Sequence, residues 1–413
     1  MRALVIKCTP EKIRYDLFSF GDQIASLMDG RIGDIGAENP QHTYHYGSRG
    51  RAEGSTLAAD HAEAFERVAA VMRSPTTGHE DFTQNLTVVA HRVPHGGERF
   101  KGPEVISDSV LREIEALSPC SPRGNPASVL GIRATANLFT GVPQVAVFES
   151  AFSQSLPQDA FIYPVPRDLY EKHGLRRYGF HGIAHRHAIG TAAVEMGRFP
   201  EELRVVSVYL GEESSAVAFG GGRCVDVTTG LSAPSGLPGA TSAGTIDPAA
   251  LTFLMRATQS GPEQIDYLLT RQSGMLGLSG TSSSFLEIID RASEGDTRCE
   301  QAVKVYVLHV IRAIGSLVAV MGGVDLLVFT GSAVESSARV RGNICERLGF
   351  LGIALDSFRN DGSDGRTVAA ISRDDSKVKV YLVPGDEERI IARESVALVT
   401  GRDAGGAGPA ASS

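Results

Sequence analysis

The stretch from Val205 to Gly230 constrains the fold of this chain more than any other. Two segments rich in β-branched and aromatic residues, VVSVYL and AVAF, flank the polar link GEESS, and a GGG turn then leads into RCVDVT. Such segments favour strands, and consecutive glycines permit the positive φ angles of a tight turn. We predict a two-stranded hairpin. Its polar link is either an ordinary surface turn or a place where N–H groups and hydroxyls face a phosphate.

Length and composition place this hairpin in a globular chain of two domains. With 413 residues, the chain exceeds the size at which one hydrophobic core keeps growing. Its 42% of hydrophobic residues is typical of a globular protein, and its net charge of −8 argues against binding to nucleic acid. We find no run that could span a bilayer and no signal peptide. We therefore expect a cytoplasmic protein with no membrane or nucleic-acid partner.

The cysteine and histidine patterns do not favour a metal site. The five cysteines are odd in number and far apart, so we expect buried thiols rather than disulfides or a zinc site. His181 and His185 have the spacing of a helical metal pair. However, no glutamate follows His181 and Gly182 falls within the spacing, so we do not favour zinc there.

Hydrophobic runs along the chain predict strands and helices in both halves. A Gly- and Asp-rich loop is expected between the second strand and the first helix, for which Ser55 or Thr56 is the predicted N-cap. The segment SPCSPRGNPAS is expected to be irregular, and the tail at 402–413 disordered. Strands are predicted at Ala3–Ile6, Ile13–Phe18, Leu86–Ala90, Gln144–Ser150, Val324–Thr330 and Val378–Pro384, and helices at Leu57–Arg73, Ser107–Leu117, from His181 to about Met196, across Ala302–Leu317, after Gly331, and before Gly401.

The recurrence of strand, hairpin and helix in both halves predicts a duplicated α/β domain with a ligand cleft between the copies. A series of motifs in the same chain is similar, in order and spacing, to those of the acetate kinase family of carboxylate kinases, from about Leu86 to Ser395. The motifs are HRVPHGGERF, the GNP of SPRGNPAS, VAVFESAFSQSLP, RRYGFHGIAH, GTIDP, SGMLGLSGTSS, VFTGSAVE, LGFLGIALD and VPGDEERIIARES.

This resemblance implies a fold and a reaction. The fold is that of the acetate-and-sugar-kinase, hsp70 and actin superfamily, which is ribonuclease H-like: two βββαβαβα domains that close on ATP and Mg²⁺, usually in a homodimer. The implied boundaries are 1–150, completed by the C-terminal helix 386–400, and 151–385. The reaction moves the γ-phosphoryl group of ATP to a short carboxylate such as acetate and gives an acyl phosphate.

The resemblance also assigns roles to residues of this sequence. It places Arg92 on the carboxylate, with Pro94 and Phe180 in the apolar part of the substrate pocket. It gives His181 the transition state, Glu149 the role of catalytic acid, and Glu387 a place at the metal. The implied nucleotide contacts are Arg14, Tyr209, Gly211, Glu212, Ser284, Leu286, Gly331 and Glu335.

Several family positions hold other residues here. Lys7 stands where the family has an asparagine of the metal site, and Ser242 stands where it has a second catalytic arginine. The phosphate loop HLGNG of the family is Tyr209 to Glu213 here and carries two carboxylates, which repel a polyphosphate. Arg123 replaces a leucine near the substrate pocket, so its charge must reach solvent or meet an anion.

Two functions remain open after these substitutions. The first is a working ATP-dependent carboxylate kinase whose turnover is weakened, because phosphoryl transfer depends on the cations around the phosphate. The second is a catalytically inactive pseudoenzyme that keeps the fold as a binding or regulatory module, since a shared fold does not guarantee a shared site.

Overall fold

The computed structural model of this chain describes residues 1–46, 50–73 and 81–401. These residues form two compact units. Unit 1 comprises Met1–Ala151 together with the segment that begins at Asp386, and unit 2 comprises Phe152–Gly385. The predicted tail at 402–413 lies outside the described residues.

Strands and helices alternate along both units. The strands are β1 (Arg2–Thr9), β2 (Lys12–Phe20), β3 (Ile24–Gly33), β4 (Gln41–Tyr46), β5 (Gly50–Ser55), β6 (Leu86–Val93), β7 (Glu104–Val105), β8 (Gln144–Phe148), β9 (Val205–Leu210), β10 (Ser214–Gly220), β11 (Arg223–Val227), β12 (Leu326–Thr330), β13 (Ala369–Ala370) and β14 (Lys379–Leu382). The helices are α1 (His61–Arg73), α2 (Asp108–Ala116), α3 (Asn125–Leu138), α4 (Gln158–Phe161), α5 (Arg167–His173), α6 (Gly182–Glu195), α7 (Pro248–Thr258), α8 (Pro262–Arg271), α9 (Gly274–Ser279), α10 (Phe285–Ser293), α11 (Thr297–Met321), α12 (Ser332–Glu335), α13 (Ala338–Glu346), α14 (Ser357–Gly362) and α15 (Glu387–Thr400).

The two units repeat one strand plan, which confirms the predicted duplicated α/β fold. Within the described residues, the order is β5-β4-β3-β2-β1-β6-β8-β7 in unit 1 and β11-β10-β9-β12-β14-β13 in unit 2. In each unit the first three strands form an antiparallel meander. A later strand pairs in parallel with the first strand of the meander: β6 with β1 in unit 1, and β12 with β9 in unit 2. A further strand pairs in parallel with that one, namely β8 in unit 1 and β14 in unit 2.

The stretch predicted as a two-stranded hairpin contains three strands, so that prediction is wrong in detail. β9, β10 and β11 pair antiparallel in sequence order. Ser214 and Ser215, which we assigned to the link, are buried residues of β10 and pair with Leu210 and Tyr209. The link is therefore only Gly211 to Glu213, and the two hydroxyls point into the protein rather than lining a surface turn.

Unit 1 departs from the sequence prediction at three other places. The segment expected to be a Gly- and Asp-rich loop forms β3, β4 and β5. The first helix begins at His61 instead of Leu57, and neither Ser55 nor Thr56 caps it; the Asp60 side chain accepts a hydrogen bond from the Glu63 N–H at 2.9 Å. The segment expected to be irregular contains the first turn of α3, where Pro126 sits in the helical position that needs no N–H donor.

Helix α11 corrects our expectation that no run could span a bilayer. By length and composition, Thr297–Met321 is long and apolar enough to do so. In this fold its apolar stripe packs in the hydrophobic core of unit 2, where Tyr306, Val310 and Ile314 are each at most 1% exposed. Its hydrophobicity is accounted for by this core position.

Gly331 joins β12 to α12 in a backbone conformation that other residues rarely adopt. Its φ is +98°, and a Cβ atom there would lie 2.5 Å from the carbonyl oxygen of Leu210. We expect Gly331→Ala to lower the free energy of unfolding by about 2–4 kcal/mol, because it adds both φ strain and a clash with backbone. Urea denaturation of the purified variant measures this change.

Gly342→Ala is the matched control. Gly342 lies within α13, and a Cβ atom there meets nothing within 4 Å. This control should gain up to ~1 kcal/mol from the higher helix propensity of alanine. Equal stability of the two variants would contradict the strain assigned to Gly331.

Candidate active site

The loop after β6 is held by buried hydrogen bonds that combine two of the sequence motifs. Asn125 of the GNP motif accepts a bond from the N–H of His95 at 3.1 Å and donates one to the His95 carbonyl at 3.0 Å. A Cβ atom at Gly124 would lie 2.6 Å from the ring of Pro94, so only glycine permits this approach. The HRVPHGG and GNP motifs thus form one structure that fixes Arg92 and Pro94.

Arg92, Glu149 and Glu387 form one ion cluster in unit 1. The Arg92 Nε atom donates a hydrogen bond to Oε1 of Glu149 and lies 3.6 Å from Oε2 of Glu387. The Glu149 side chain is 1% exposed, and those of Arg92 and Glu387 are each 12% exposed. Charges so far from water require partners. The residues assigned to the substrate, the acid and the metal therefore lie together.

Lys7 adds a second cation to this cluster. On β1 the neighbouring residues Ile6 and Cys8 face the hydrophobic core, so alternation places Lys7 on the opposite face, over which α15 packs. Repulsion by the Arg92 guanidinium, together with burial, lowers the pKa of Lys7, while Glu387 and Glu149 oppose that shift. Burial raises the pKa of Glu387, and the charge of Arg92 opposes this.

These residues do not fit the divalent metal that the family resemblance implies. Mg²⁺ prefers oxygen ligands, whereas a lysine ammonium offers three N–H donors and no lone pair. Two cations already balance the charges of Glu149 and Glu387. In the described ranges 1–46, 50–73 and 81–401, no group of three or more His, Cys, Asp or Glu residues is arranged to hold a metal.

Our sequence analysis assigned Arg14 to the nucleotide but missed the ion pairs that this residue makes on the same face. Arg14, opposite Lys7 in the β1–β2 register, has its Nε atom 3.5 Å from Asp16 Oδ2 and 3.4 Å from Glu388 Oε1. Burial, with repulsion by Glu388, raises the pKa of Asp16 to about 7. The available signal was the i, i+2 spacing of Arg14 and Asp16, which puts both side chains on one face of a strand.

Arg123 meets an anion of the chain itself. Its guanidinium donates to the carboxylate of Glu11, and the two side chains are 40% and 55% exposed. Glu11 lies in the turn between β1 and β2. The charge of Arg123 therefore both reaches solvent and pairs with an anion, the two possibilities that the sequence left open.

In unit 2, His181 is positioned by its backbone and by two neighbours. It precedes α6 with a φ of +59°, a left-handed conformation that is uncommon outside glycine. Its ring stacks on Tyr209 with centroids 4.6 Å apart, and its Nδ1 atom lies 2.9 Å from the Ser215 hydroxyl. Phe180 beside it is 2% exposed. The histidine assigned to the transition state is therefore held in one orientation.

Ser215 also bonds His185, a contact that the sequence did not predict. The hydroxyl lies 2.8 Å from His185 Nε2, and His185 Nδ1 lies 2.9 Å from the Ser207 hydroxyl. All of these residues are buried, and burial lowers the pKa of His185 to about 3, so the ring is neutral near pH 7. The i, i+4 histidine pair is thus a shared hydrogen-bond network and not a metal pair.

Ser242, which replaces the family arginine, bonds a carboxylate from the altered phosphate loop. It is fully buried, and its hydroxyl donates to Oε2 of Glu213 at 3.2 Å. Burial raises the pKa of Glu213 to about 7. Two substitutions far apart in sequence thus meet, and no arginine charge stands at position 242.

The remaining positions assigned to the nucleotide lie in the β9–β10 link and around α10 and α12 of unit 2. Gly211 donates its N–H to the Glu213 carbonyl at 3.0 Å, which closes the β9–β10 link, while Glu212 is exposed. The Glu335 carboxylate accepts N–H bonds from Gly331 at 2.7 Å and Gly385 at 2.9 Å. Ser284 caps α10, and Leu286 presents an exposed apolar side chain where the family has an arginine.

The Glu213 carboxyl makes the stability of the fold depend on pH. Its pKa is raised above the ordinary value of 4.5, so its contribution is fully present below pH 4.5 and is lost as the pH rises through about 7. We expect Glu213→Gln to raise the free energy of unfolding by about 1–3 kcal/mol at pH 8 and to leave it unchanged at pH 4, because a tenfold change in proton affinity corresponds to ~1.4 kcal/mol. Urea denaturation at the two pH values tests this.

Glu212→Gln is the control for this pH effect. Glu212 neighbours Glu213 on the same link and is exposed. Its replacement should change the stability at pH 8 and at pH 4 by the same small amount. A pH-independent effect of Glu213→Gln would contradict the role assigned to its burial.

Comparisons with known proteins identify the family of this chain. The model of the acetokinase family matches residues 2–393. An acetate kinase of Clostridium novyi (strain NT) is 38% identical over 399 residues, which cover 97% of this chain and 98% of that protein.

Solved structures agree in fold as well. An acetate kinase of Porphyromonas gingivalis superposes with a TM-score of 0.90 at 32% identity and covers 96% of this chain and 99% of its own. A propionate kinase of Francisella tularensis superposes with a TM-score of 0.88 at 28% identity and covers 95% of this chain and 98% of its own. The predicted fold class is confirmed. From the match over nearly its whole length and the shared two-sheet fold, the chain belongs to the acetokinase family.

Proposed function

We propose that this chain transfers the γ-phosphoryl group of ATP to a short carboxylate, with acetate as the reference substrate, at a rate well below that of its relatives. Family membership and the retained Arg92, Glu149 and His181 support the reaction. We take the two units as the two family domains, with boundaries at 1–150 plus 386–400 and at 151–385. The expected partners are a small carboxylate or acyl phosphate and a second copy of the chain, in the cytoplasm, without nucleic acid or membrane.

The proposed chemistry depends on charge and position. A phosphoryl group in transfer spreads negative charge over its equatorial oxygens, and the protein contributes mainly cations and hydrogen-bond donors fixed in place. Arg92 is held by its hydrogen bond to Glu149, and His181 is held by Ser215 and Tyr209. These residues are the ones we assign to orienting the carboxylate and stabilising the transferring group.

The weakening is supported by one observation above the others, the bond between Ser242 and Glu213. A hydroxyl that donates to an internal carboxylate supplies no positive charge to a phosphate. Judged by what arginine residues contribute to phosphoryl transfer, the loss of this cation reduces turnover on the order of a thousandfold.

A second function, that of an inactive binding or regulatory module, is favoured by the charges at the expected phosphate contacts. Glu212 and Glu213 add carboxylates there, and Lys7 replaces a metal-site residue. Nucleotide affinity distinguishes the two functions, since a kinase must bind Mg-ATP in order to turn over.

We expect Mg-ATP to bind with a dissociation constant of about 1 mM or weaker, because the carboxylates of the β9–β10 link repel its phosphates. Isothermal titration calorimetry of the full chain measures this affinity. A Glu212→Asn/Glu213→Gly double variant restores the family residues and should bind more tightly. Micromolar binding by the unmodified chain would contradict the charge argument, and undetectable binding would favour the inactive module.

We expect acetate turnover in a hydroxamate assay to be about a thousandfold below that of the Clostridium novyi relative measured alongside. Ser242→Arg alone should not restore it, because the new guanidinium would pair with Glu213 and the other substitutions would remain. Ser242→Ala is the control and should match the unmodified chain in turnover. Ordinary activity in Ser242→Arg would show that the other substitutions are tolerated.

A further inference from the structure

The cluster around Arg92 contains a buried acceptor that the arginine does not satisfy. Glu149 is 1% exposed, and its Oε1 atom takes the hydrogen bond from Arg92. Its Oε2 atom is buried and has no hydrogen-bond partner in the described part of the chain. An ionised carboxylate with one oxygen unbonded and no access to water is a position for a cation.

A group able to supply that positive charge belongs to the chain itself. Lys7 shares the strand face with Arg92, because β1 and β6 are parallel neighbours and Ile6 is in register with His91. Its ammonium lies close enough to Glu149 and Glu387 for their charges to oppose the lowering of its pKa. A lysine ammonium is a compact cation on a flexible stem, so its charge can act on both carboxylates.

We infer that the positive charge of Lys7 takes the place of a divalent cation beside Glu149 and Glu387, so that these carboxylates do not bind Mg²⁺ or Mn²⁺. Lys7 and Arg92 together carry two positive charges, which balance the two negative charges of Glu149 and Glu387. The cluster is therefore neutral without a metal. A metal entering the cluster would add two further positive charges beside two existing ones in a site with little water. This inference goes beyond the proposed function and holds whether or not the chain turns over carboxylates.

Replacement of Lys7 is expected to open the metal site. Lys7→Asn removes the ammonium and adds an amide oxygen, which is a ligand that hard divalent cations accept. Lys7→Met removes the charge without adding a ligand, so a comparison of the two variants separates repulsion from coordination. Lys12→Asn is the matched control, because Lys12 lies on β2, at the other side of the same hairpin turn.

The test is Mn²⁺ binding to the full chain, followed by electron paramagnetic resonance of the free ion, with neither nucleotide nor carboxylate present. We expect the unmodified chain and Lys12→Asn to show no binding at this site, and Lys7→Asn to bind about 100-fold more tightly, since one repelling charge has been replaced by a ligand. Mn²⁺ should also raise the melting temperature of Lys7→Asn and leave that of the unmodified chain unchanged. A Lys7→Asn/Glu387→Gln double variant should lose the binding.

Either of two results would overturn the inference. One is Mn²⁺ binding by the unmodified chain that is lost in Glu387→Gln, a measurement that needs no folded Lys7 variant. The other is a folded Lys7→Asn variant that still does not bind Mn²⁺, because Lys7 would then not be what excludes the metal. Failure of the proposed kinase activity would affect neither measurement, since no substrate is present in them.

Discussion

Balanced charge on a face with little water is the constraint on which the arrangement of unit 1 depends. Arg92, Glu149 and Glu387 come from β6, the residue after β8 and the start of α15, so their pairing joins three separate segments. Removal of one partner from such a buried group leaves an uncompensated charge and typically costs about 3–5 kcal/mol. The start of α15 at Glu387 is thus set by electrostatics as much as by packing. A substitution that removes the charge at one of these positions therefore needs a compensating substitution at another.

Unit 2 positions its assigned residues by a different means. His181, Ser215, His185 and Ser207 form a chain of hydrogen bonds between imidazole nitrogens and serine hydroxyls. A serine hydroxyl can donate or accept, so the same chain fits either tautomer of His181. Because burial keeps His185 neutral near pH 7, this ring does not need a counter-ion. Unit 1 therefore positions its assigned residues with ion pairs, and unit 2 positions His181 with hydrogen bonds to serine hydroxyls.

The sequence predicted the central strands and long helices, because hydrophobic runs such as VVSVYL and LLVFT have no alternative to burial. It missed β3 to β5 because their glycines resemble loop signals. Gly30 explains why this signal failed: a Cβ atom there would lie 2.4 Å from the Tyr15 hydroxyl, so the glycine makes room for the ring of its cross-strand partner. Motif matching located residues such as Arg92 and Ser242, but it did not predict which residues pair with each other. Ser242 bonds Glu213, and Arg123 bonds Glu11, 112 positions away, and no local pattern encodes such pairs.

The two units differ in whether they are built from one continuous segment of the chain or from two. Unit 2 is one continuous segment, Phe152–Gly385, whereas unit 1 needs α15, which is synthesised after all of unit 2. During translation, β1, β6 and β8 are therefore available long before the helix that carries Glu387. In that interval Lys7 and Arg92 have a single buried carboxylate, Glu149, to share, and the face over which α15 will pack stays open to solvent. Unit 2 can therefore complete its core before unit 1 does, although the strands of unit 1 are synthesised first.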